Sequence, residues 1–297
     1  MLTSLTIWNI ILSRYNGKQV AIHINGNFIT LYLGSHMQIF TIPCLDDNYS
    51  YIIHTHPEEG HVSVVDPGDA APISRILQER NLVLRSILLT HHHYDHCDGA
   101  MQLKELYDCD IIGAKADKHR LPLGCNILVE PTEYFQLGNC MVQVLDSSGH
   151  TTGHISFNFI NDNVCFCGDA MFSAGCGRIQ ECTPFECWMT LSGFAMLDPN
   201  TDMFFGHEYT LRNLRFARFV MPNNKSVIQA EKTAEQLRNN NIPTSPTSIS
   251  QELQINPFMR LYDKEILQAT KMADKSDPVD IITRLNEMKY VFWARIY

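Results

Sequence analysis

The period of the hydrophobic positions changes at about residue 210, which predicts two kinds of structure. Before it, apolar runs bounded by turn residues predict strands at 38–43, 50–54, 62–65, 84–89, 141–145, 155–159 and 164–167. Apolar spacings of three and four predict helices at 71–80 and 99–106, the second capped by Asp98. After residue 210 the strand pattern fades, and 224–240 has the composition of one long helix.

These elements predict a mixed α/β domain at residues 37–210, followed by a helical domain at 211–297. Within the second domain, Ser248 and Gln251 fit a capping box at the start of a further helix. We expect residues 1–36 to be an N-terminal extension outside the main fold. Its apolar run at 5–12 lacks the basic start and the small-residue cleavage site of a signal peptide.

Composition excludes several classes of protein. The 297 residues are 45% hydrophobic and 19% charged, which excludes a disordered chain, a collagen and a coiled-coil rod. The net charge of −9 gives no broad surface for nucleic acid, and no basic run or long apolar stretch predicts a membrane partner. The ten cysteines are irregularly spaced without a CxxC pair, as in reduced cytoplasmic proteins. We therefore expect a cytoplasmic monomer.

A dense group of metal-binding side chains follows the strand predicted at 84–89. In an extended chain, residues two apart point to the same side, so His91, His93 and Asp95 can converge. His96 reaches the same point as the chain turns into the next helix. Four nitrogen and oxygen ligands exceed what one tetrahedral site holds while keeping a position for water. The cluster therefore predicts two adjacent metal ions.

Three residues further along the chain supply the remaining ligands, because each follows a strand or a turn: His150, Asp169 and His207. A histidine-rich surface patch that arose by chance is the alternative. It is disfavoured because the spacing, the preceding strand and the downstream partners agree. His92 has the wrong parity, and His154 lies four residues after His150. We expect these two to support the site or, for His92, to face solvent.

The His91-x-His93-x-Asp95-His96 motif and its downstream partners resemble the metallo-β-lactamase superfamily. The similarity to the glyoxalase II (hydroxyacylglutathione hydrolase) family is closer still and runs from residue 37 to about 292. It rests on the helical tail and on three segments: Gly-Cys-Gly-Arg at 175–178, Gly-His-Glu-Tyr-Thr at 206–210 and Asn-Pro-Phe-Met-Arg at 256–260.

The resemblance implies an αββα sandwich of the α/β class with a helical C-terminal domain. It also implies a division of ligands: His91, His93 and His150 for one metal ion, Asp95, His96 and His207 for the other, and Asp169 bridging both. It places three substrate contacts to glutathione at Arg178, Tyr209 and Lys289.

The implied chemistry is thioester hydrolysis. Two divalent ions lower the pKa of a shared water to about 7, and zinc suits the ligands, with iron or manganese as alternatives. The metal-bridging hydroxide, with Asp95 and Asp169 as catalytic carboxylates, attacks the carbonyl of S-D-lactoylglutathione and releases D-lactate and glutathione. A thiol has a pKa of about 8.5, so it leaves without a strong acid. This favours a thioester over an amide.

Three positions depart from the family's pattern: Asn286 for an arginine, Tyr290 for an aspartate and Gln180 for an aromatic residue. We expect weaker glutathione binding and unchanged metal chemistry. Asp66, which ends a strand before Pro67, fits two roles equally: orienting a ligand histidine, or a simple turn residue.

Two other functions stay open at this point. A mononuclear iron persulfide dioxygenase uses the same fold with one metal ion, and a metal-free binding module uses none. The complete set of ligands disfavours both, and the metal content per chain separates the three.

Overall fold

The computed structural model describes residues 13–15, 19–24, 27–33, 37–56 and 60–296, and its centre is a pair of β-sheets packed face to face. Nine strands of the described chain form the first sheet in sequence order: β1 (Ser13–Tyr15), β2 (Gln19–Ile24), β3 (Asn27–Leu33), β4 (Gln38–Cys44), β5 (Asn48–His56), β6 (His61–Val65), β7 (Val83–Leu88), β8 (Asp110–Ala114) and β9 (Ile127–Val129). Pairing is antiparallel from β1 to β6 and parallel from β6 to β9.

The later strands form the second sheet and a small hairpin. They are β10 (Tyr134–Leu137), β11 (Cys140–Asp146), β12 (Ile155–Phe159), β13 (Val164–Gly168), β14 (Met171–Phe172), β15 (Gly175–Cys176), β16 (Asp202–Phe205) and β17 (Thr247–Ser248). In the second sheet the order is β10-β11-β12-β13-β16-β17, while β14 and β15 pair only with each other. β13 and β16 are parallel neighbours.

The helices lie outside the two sheets. Those of the described chain are α1 (Ala70–Glu79), α2 (Tyr94–Tyr107), α3 (Pro184–Ala195), α4 (Thr210–Val220), α5 (Lys225–Asn239), α6 (Ile249–Ile255), α7 (Lys264–Thr270) and α8 (Pro278–Ile296). Short 3₁₀ helices lie at Lys115–Asp117 and Pro257–Met259. No helix of the described chain combines the length and the hydrophobicity that crossing a bilayer requires.

Alternating side chains divide the first sheet between two cores. In β5, Tyr51 and Ile53 pack towards the second sheet, where the Tyr51 ring lies 5.3 Å from that of Phe166. Ile52 between them packs in the core that α1 and α2 form with the opposite face. The predicted αββα class is therefore confirmed.

The helix after the histidine motif begins earlier than the sequence predicts. α2 starts at Tyr94, with His93 in extended conformation before it, so Asp98 lies inside the helix and does not cap it. Asp95 in the first turn interacts favourably with the positive end of the helix dipole. His91 and His93 therefore precede the helix, while Asp95 and His96 lie on its first turn. The predicted cap of α6 is present, because the Ser248 hydroxyl accepts from the Gln251 amide at 3.3 Å.

Part of the N-terminal extension belongs to the first sheet, contrary to the expectation that residues 1–36 lie outside the fold. β3 pairs antiparallel with β4, and its Tyr32 is buried. The Tyr32 hydroxyl donates to Asp202 Oδ2 at 2.7 Å, and its ring meets Phe204 edge-on. Adding strands to a sheet edge, here β1–β3 beside β4, needs only backbone hydrogen bonds, so no side-chain motif marks them in the sequence. The apolar run at 5–12 lies outside the described residues.

The chain after residue 210 is mainly helical, as predicted. α4 begins at Thr210, although β17 extends the second sheet by pairing with β16. Residues on both sides of the change share one hydrophobic core. The division into domains 37–210 and 211–297 stays a prediction.

Candidate metal centre

The predicted ligands meet at one edge of the two sheets. β13 and β16 are parallel, so the residues that follow them lie side by side, and Gly206 N donates to Gly168 O at 2.9 Å. This contact sets Asp169 next to His207. The loop after β7 and the first turn of α2 bring the histidine motif to the same place, and the turn before β12 brings His150.

Four clusters of candidate donor atoms occur among the described residues, each with its atoms within 4.8 Å of one another, and two of them consist only of predicted ligands. The first donor group consists of His91, His93 and His150. The second donor group consists of Asp95, His96 and His207. These clusters have the same members as the two ligand sets that the resemblance implied.

Asp169 lies between the two donor groups. Its Oδ2 is 3.6 Å from His150 Nε2 in the first group and 3.4 Å from His207 Nε2 in the second. Its Oδ1 is 3.4 Å from His96 Nε2. One buried carboxylate therefore faces nitrogen atoms of both groups.

Asp66 fixes the orientation of His96. It accepts from the amide and the hydroxyl of Thr90 at 2.8 and 2.6 Å, and its Oδ2 lies 3.1 Å from His96 Nδ1. An ionised carboxylate only accepts, so Nδ1 carries the proton and Nε2 keeps its lone pair for a metal ion. Of the two roles left open for Asp66, the geometry supports the orienting one.

Two residues to which the sequence analysis gave no role, Asp47 and Asn48, support the second donor group. Asp47 Oδ1 lies 2.8 Å from His207 Nδ1, and the Asn48 amide donates to Asp95 Oδ2 at 3.0 Å. Their place at the start of β5, at the edge where other strand ends carry ligands, was the signal that could have identified them.

The first donor group is oriented by a hydroxyl and a backbone carbonyl. His91 Nδ1 lies 3.1 Å from Thr90 Oγ1, whose own proton goes to Asp66. His150 Nδ1 donates to the backbone oxygen of Arg178 at 2.8 Å. Both rings therefore turn Nε2 towards the centre.

His154 and His92 lie beside the groups, in agreement with the supporting role expected for them. His154 Nε2 accepts from the backbone amide of Asp169 at 3.2 Å, and its ring stacks on His91 at 4.8 Å. His92 contacts two carboxylates that belong to neither group.

The donor set fits divalent metal ions. Among the described residues, His91 Nε2 and Asp169 Oδ1 are buried side-chain atoms that make no hydrogen bond. An unsatisfied buried polar atom costs about 1–3 kcal/mol, a cost that coordination removes. Gly206 leaves the space open, because a Cβ there would lie 2.4 Å from Asp169 Oδ1.

The charges of the site agree with this fit. Burial, reinforced by the neighbouring His96, lowers the pKa of His91 well below its ordinary value, so the ring is a neutral donor. Burial alone would raise the pKa of Asp169, but the charges of His207 and His96 outweigh it and keep the pKa below its usual range. His91 and Asp169 are thus in the states in which these side chains bind metals. The neighbouring carboxylates outweigh burial and raise the pKa of His96 and of His207, so an ion that enters the second donor group displaces protons from these rings.

Two of the three predicted substrate contacts lie near the donor groups. The Tyr209 ring is half-buried and stacks on that of His207, with centroids 4.8 Å apart. The Arg178 side chain is exposed, with its guanidinium 5.3 Å from the Tyr290 ring.

The third contact is placed differently. Lys289 is only 1% exposed, and its ammonium donates to the carbonyl of Cys176 at 3.1 Å. Asn286, one turn earlier on α8, is half-buried with Oδ1 unbonded, while Gln180 is exposed. The structure therefore buries Lys289 instead of bringing it to an open surface. The sequence shows its position on α8, but it does not show the packing that buries the side chain.

Comparisons with known proteins first define the class. Residues 45–124 match the family model of the metallo-beta-lactamase superfamily, and residues 208–292 match that of the hydroxyacylglutathione hydrolase C-terminus. Among solved structures, the B3 metallo-beta-lactamase BLEG-1 is similar with a TM-score of 0.59 and 18% identity, covering 75% of this chain and 99% of that one. ETHE1 from Myxococcus xanthus is similar with a TM-score of 0.58 and 19% identity, covering 88% of this chain and 90% of that one. These likenesses define the metallo-β-lactamase fold.

Sequence relatives define the family more narrowly. A hydroxyacylglutathione hydrolase from Ruegeria pomeroyi is 40% identical over 253 residues, which are 85% of this chain and 98% of the relative. One from Vibrio campbellii is 39% identical over 258 residues, 86% of this chain and 100% of the relative. The chain belongs to the hydroxyacylglutathione hydrolase family, as its motifs predicted.

Proposed function

We propose that the protein hydrolyses the thioester bond of S-D-lactoylglutathione and related 2-hydroxyacylglutathiones, giving a 2-hydroxy acid such as D-lactate and free glutathione. Family membership supports the substrate class. The observation that carries the proposal is the position of Asp169, whose Oδ2 lies 3.6 Å from His150 Nε2 and 3.4 Å from His207 Nε2. A bridging carboxylate between two donor groups is what a two-metal hydrolase needs.

The first donor group would hold one metal ion and the second donor group the other, with Asp169 facing both groups. Zinc is the metal that five imidazoles and two carboxylates suit best, while iron and manganese accept the same ligands. The bound pair supplies a nucleophile at neutral pH and polarises the carbonyl oxygen.

The residues of this chain contribute orientation and charge. We assign Asp95 and Asp169 as the catalytic carboxylates because they lie among the histidines of both donor groups. Their histidine neighbours outweigh the effect of burial and hold the pKa of each below its usual range, so both are ionised. Asn48 holds Asp95 by donating to its Oδ2 at 3.0 Å. No general acid is needed, since a thiolate of pKa about 8.5 leaves unprotonated.

The glutathione part of the substrate binds beside the second sheet. The exposed Arg178 guanidinium offers a charge-assisted hydrogen bond to a carboxylate, and Tyr209 presents its ring and hydroxyl next to His207. The buried ammonium of Lys289 contributes positive potential to this region.

A cytoplasmic location fits this substrate. All ten cysteines are free, and eight of them are buried, as in a reducing compartment. The monomeric state stays a prediction that light scattering on the purified protein tests.

The decisive experiment combines turnover with metal analysis. Purified protein is assayed on S-D-lactoylglutathione, and its metal content per chain is measured before and after dialysis against a chelator. Two metal ions, turnover, and loss of both on dialysis are expected. One iron per chain with no thioester turnover would instead favour the dioxygenase.

A further inference from the structure

One ligand histidine is oriented differently from the others. Four of the five histidines in the donor groups have their outer nitrogen within 2.8–3.1 Å of an oxygen atom. His93 instead turns Nδ1 inwards, 3.0 Å from His150 Nε2, and its outer Nε2 lies 3.9 Å from Glu181 Oε1. Its side chain is also 25% exposed. The orientation of His93 therefore depends on where Glu181 is held.

Glu181 is part of a closed ring of alternating acids and bases. Arg120 bridges the two acids, donating to Glu181 Oε2 at 2.6 Å and to Asp117 Oδ1. His92 bridges them on the other side, with Nδ1 3.1 Å from Asp117 Oδ2 and Nε2 3.3 Å from Glu181 Oε1. Each acid thus contacts both bases, and every carboxylate oxygen of the ring has a partner.

The ring is anchored to the loops that carry the first donor group. Asp117 is fully buried, and a Cβ on Gly153 would lie 2.0 Å from its Oδ1, so it has no room to move. Thr152 joins the ring to the loop of His150, accepting from Arg120 at 2.7 Å and donating its amide to Glu181 Oε2 at 3.3 Å.

The same side chains do not form a third metal site. His92, His93 and Glu181 lie close enough together to hold a cation. However, both oxygens of Glu181 already contact bases of the ring, and the Arg120 charge repels a further cation. Burial would raise the pKa of Glu181, but the hydrogen bond from Arg120 outweighs it, so the group remains a carboxylate.

We propose that Glu181 is a positioning residue for His93: the ring of Arg120, Asp117 and His92 holds its carboxylate beside the outer nitrogen of His93, and metal binding by the first donor group depends on it. At 3.9 Å the carboxylate acts as a fixed charge that favours the proton on Nε2 and leaves the lone pair of Nδ1 facing inwards. This inference rests on the proposed assignment of the first donor group as a metal site.

The test is a titration of metal-free protein with Co²⁺, followed by the visible absorption of the bound ion. The wild-type chain should bind two ions. In Glu181→Gln, one ion should bind as before, and the other should bind about tenfold to a hundredfold more weakly, with a changed absorption band. Loss of a merely structural contact would lower the melting temperature of the metal-free protein and leave both affinities unchanged.

A matched control breaks an ion pair made by Lys115, which lies on the same 3₁₀ helix as Asp117 of the ring. Lys115 and Glu130 lie 3.2 Å apart and are both more than half exposed. Glu130→Gln should therefore leave both binding steps unchanged.

The outcomes separate the two proposals. If the wild-type chain binds no Co²⁺, the proposed function fails. If it binds two ions and Glu181→Gln binds two with the same affinities, the inference about Glu181 is wrong. Should Glu181→Gln not fold, Arg120→Lys takes its place, because lysine keeps the charge but does not bridge two carboxylates. It should weaken one binding step, and two unchanged steps would overturn the inference.

Discussion

The two donor groups are built from different chemistry although one carboxylate joins them. The second contains a carboxylate of its own, Asp95, and its histidines are oriented by two more, Asp66 and Asp47. The first contains histidines alone, and its partners are a hydroxyl, a backbone carbonyl and the more distant Glu181.

Because of this difference, we expect the two donor groups to bind their metal ions with different affinities. Each nearby carboxylate stabilises a divalent cation and raises the basicity of the histidine to which it is bonded. Enclosure does not separate the groups, because each has two buried histidines and one partly exposed member, His93 at 25% and Asp95 at 21%. We expect the second group to bind its ion more tightly.

Replacing Asp169 should have the largest effect because it weakens metal binding by both donor groups at once. Asp169→Ala takes away the carboxylate that lies between the Nε2 atoms of His150 and His207, and leaves two cations at about 3.5–4 Å to repel each other. At least one metal ion and nearly all turnover should be lost. Metal analysis and the thioester assay check this, and a variant that keeps two tightly bound ions with normal turnover contradicts the bridging assignment.

Removing one orienting carboxylate should weaken only the second group. Asp47→Ala leaves His207 Nδ1 without its partner at 2.8 Å, and the affinity of one ion should fall about tenfold to a hundredfold. The neighbouring exposed Asp46 provides the control, because Asp46→Ala changes the same charge without a contact to the site. Equal losses in the two variants would show that net charge, rather than orientation, is responsible.

Stepwise chelation of the unchanged protein tests the inequality directly. As chelator concentration rises, one ion should leave before the other, with dissociation constants that differ by about tenfold, equivalent to about 1.4 kcal/mol. Metal content measured along the series should show a plateau at one ion per chain. Simultaneous loss of both ions would mean that Asp169 couples the two binding steps so strongly that the different surroundings of the groups do not produce different affinities.

The smallest effect should come from a side chain that neither group uses. Arg178 holds His150 through its backbone oxygen, so Arg178→Ala leaves that contact in place and removes only the exposed guanidinium. KM for the glutathione thioester should rise about fivefold, for a loss of about 1 kcal/mol, with kcat and metal content unchanged. A fall in metal content would show that the side chain helps to place the first group.

Deleting residues 1–36 tests the outer edge of the fold. The protein that begins at Met37 loses β1, β2 and β3 and the hydrogen bond between Tyr32 and Asp202, so its melting temperature should fall. Both metal affinities should stay the same, because no residue of the donor groups lies in the deleted segment. Reduced metal binding would mean that this edge of the sheet supports the site.

The sequence by itself predicted the residues that meet in the candidate metal centre and several of the elements that carry them. The candidate metal ligands can be recognised in the sequence because few types of side chain bind metals and because the motif at 91–96 follows an apolar strand. The strands β4–β7 and β11–β13 and the helix α5 followed from hydrophobic period, since burial on one face imposes that period on the chain. The short strands β8–β10 and β14–β16 were not predicted.

Only the tertiary structure decided which atoms face which. Asp47 and His207 are 160 residues apart, and no local pattern records that β16 ends beside the turn before β5. The start of α2 and the burial of Lys289 likewise depend on packing between distant segments. Sequence period encodes which face of an element is buried, whereas the partner that covers it is set by the energy of the whole fold.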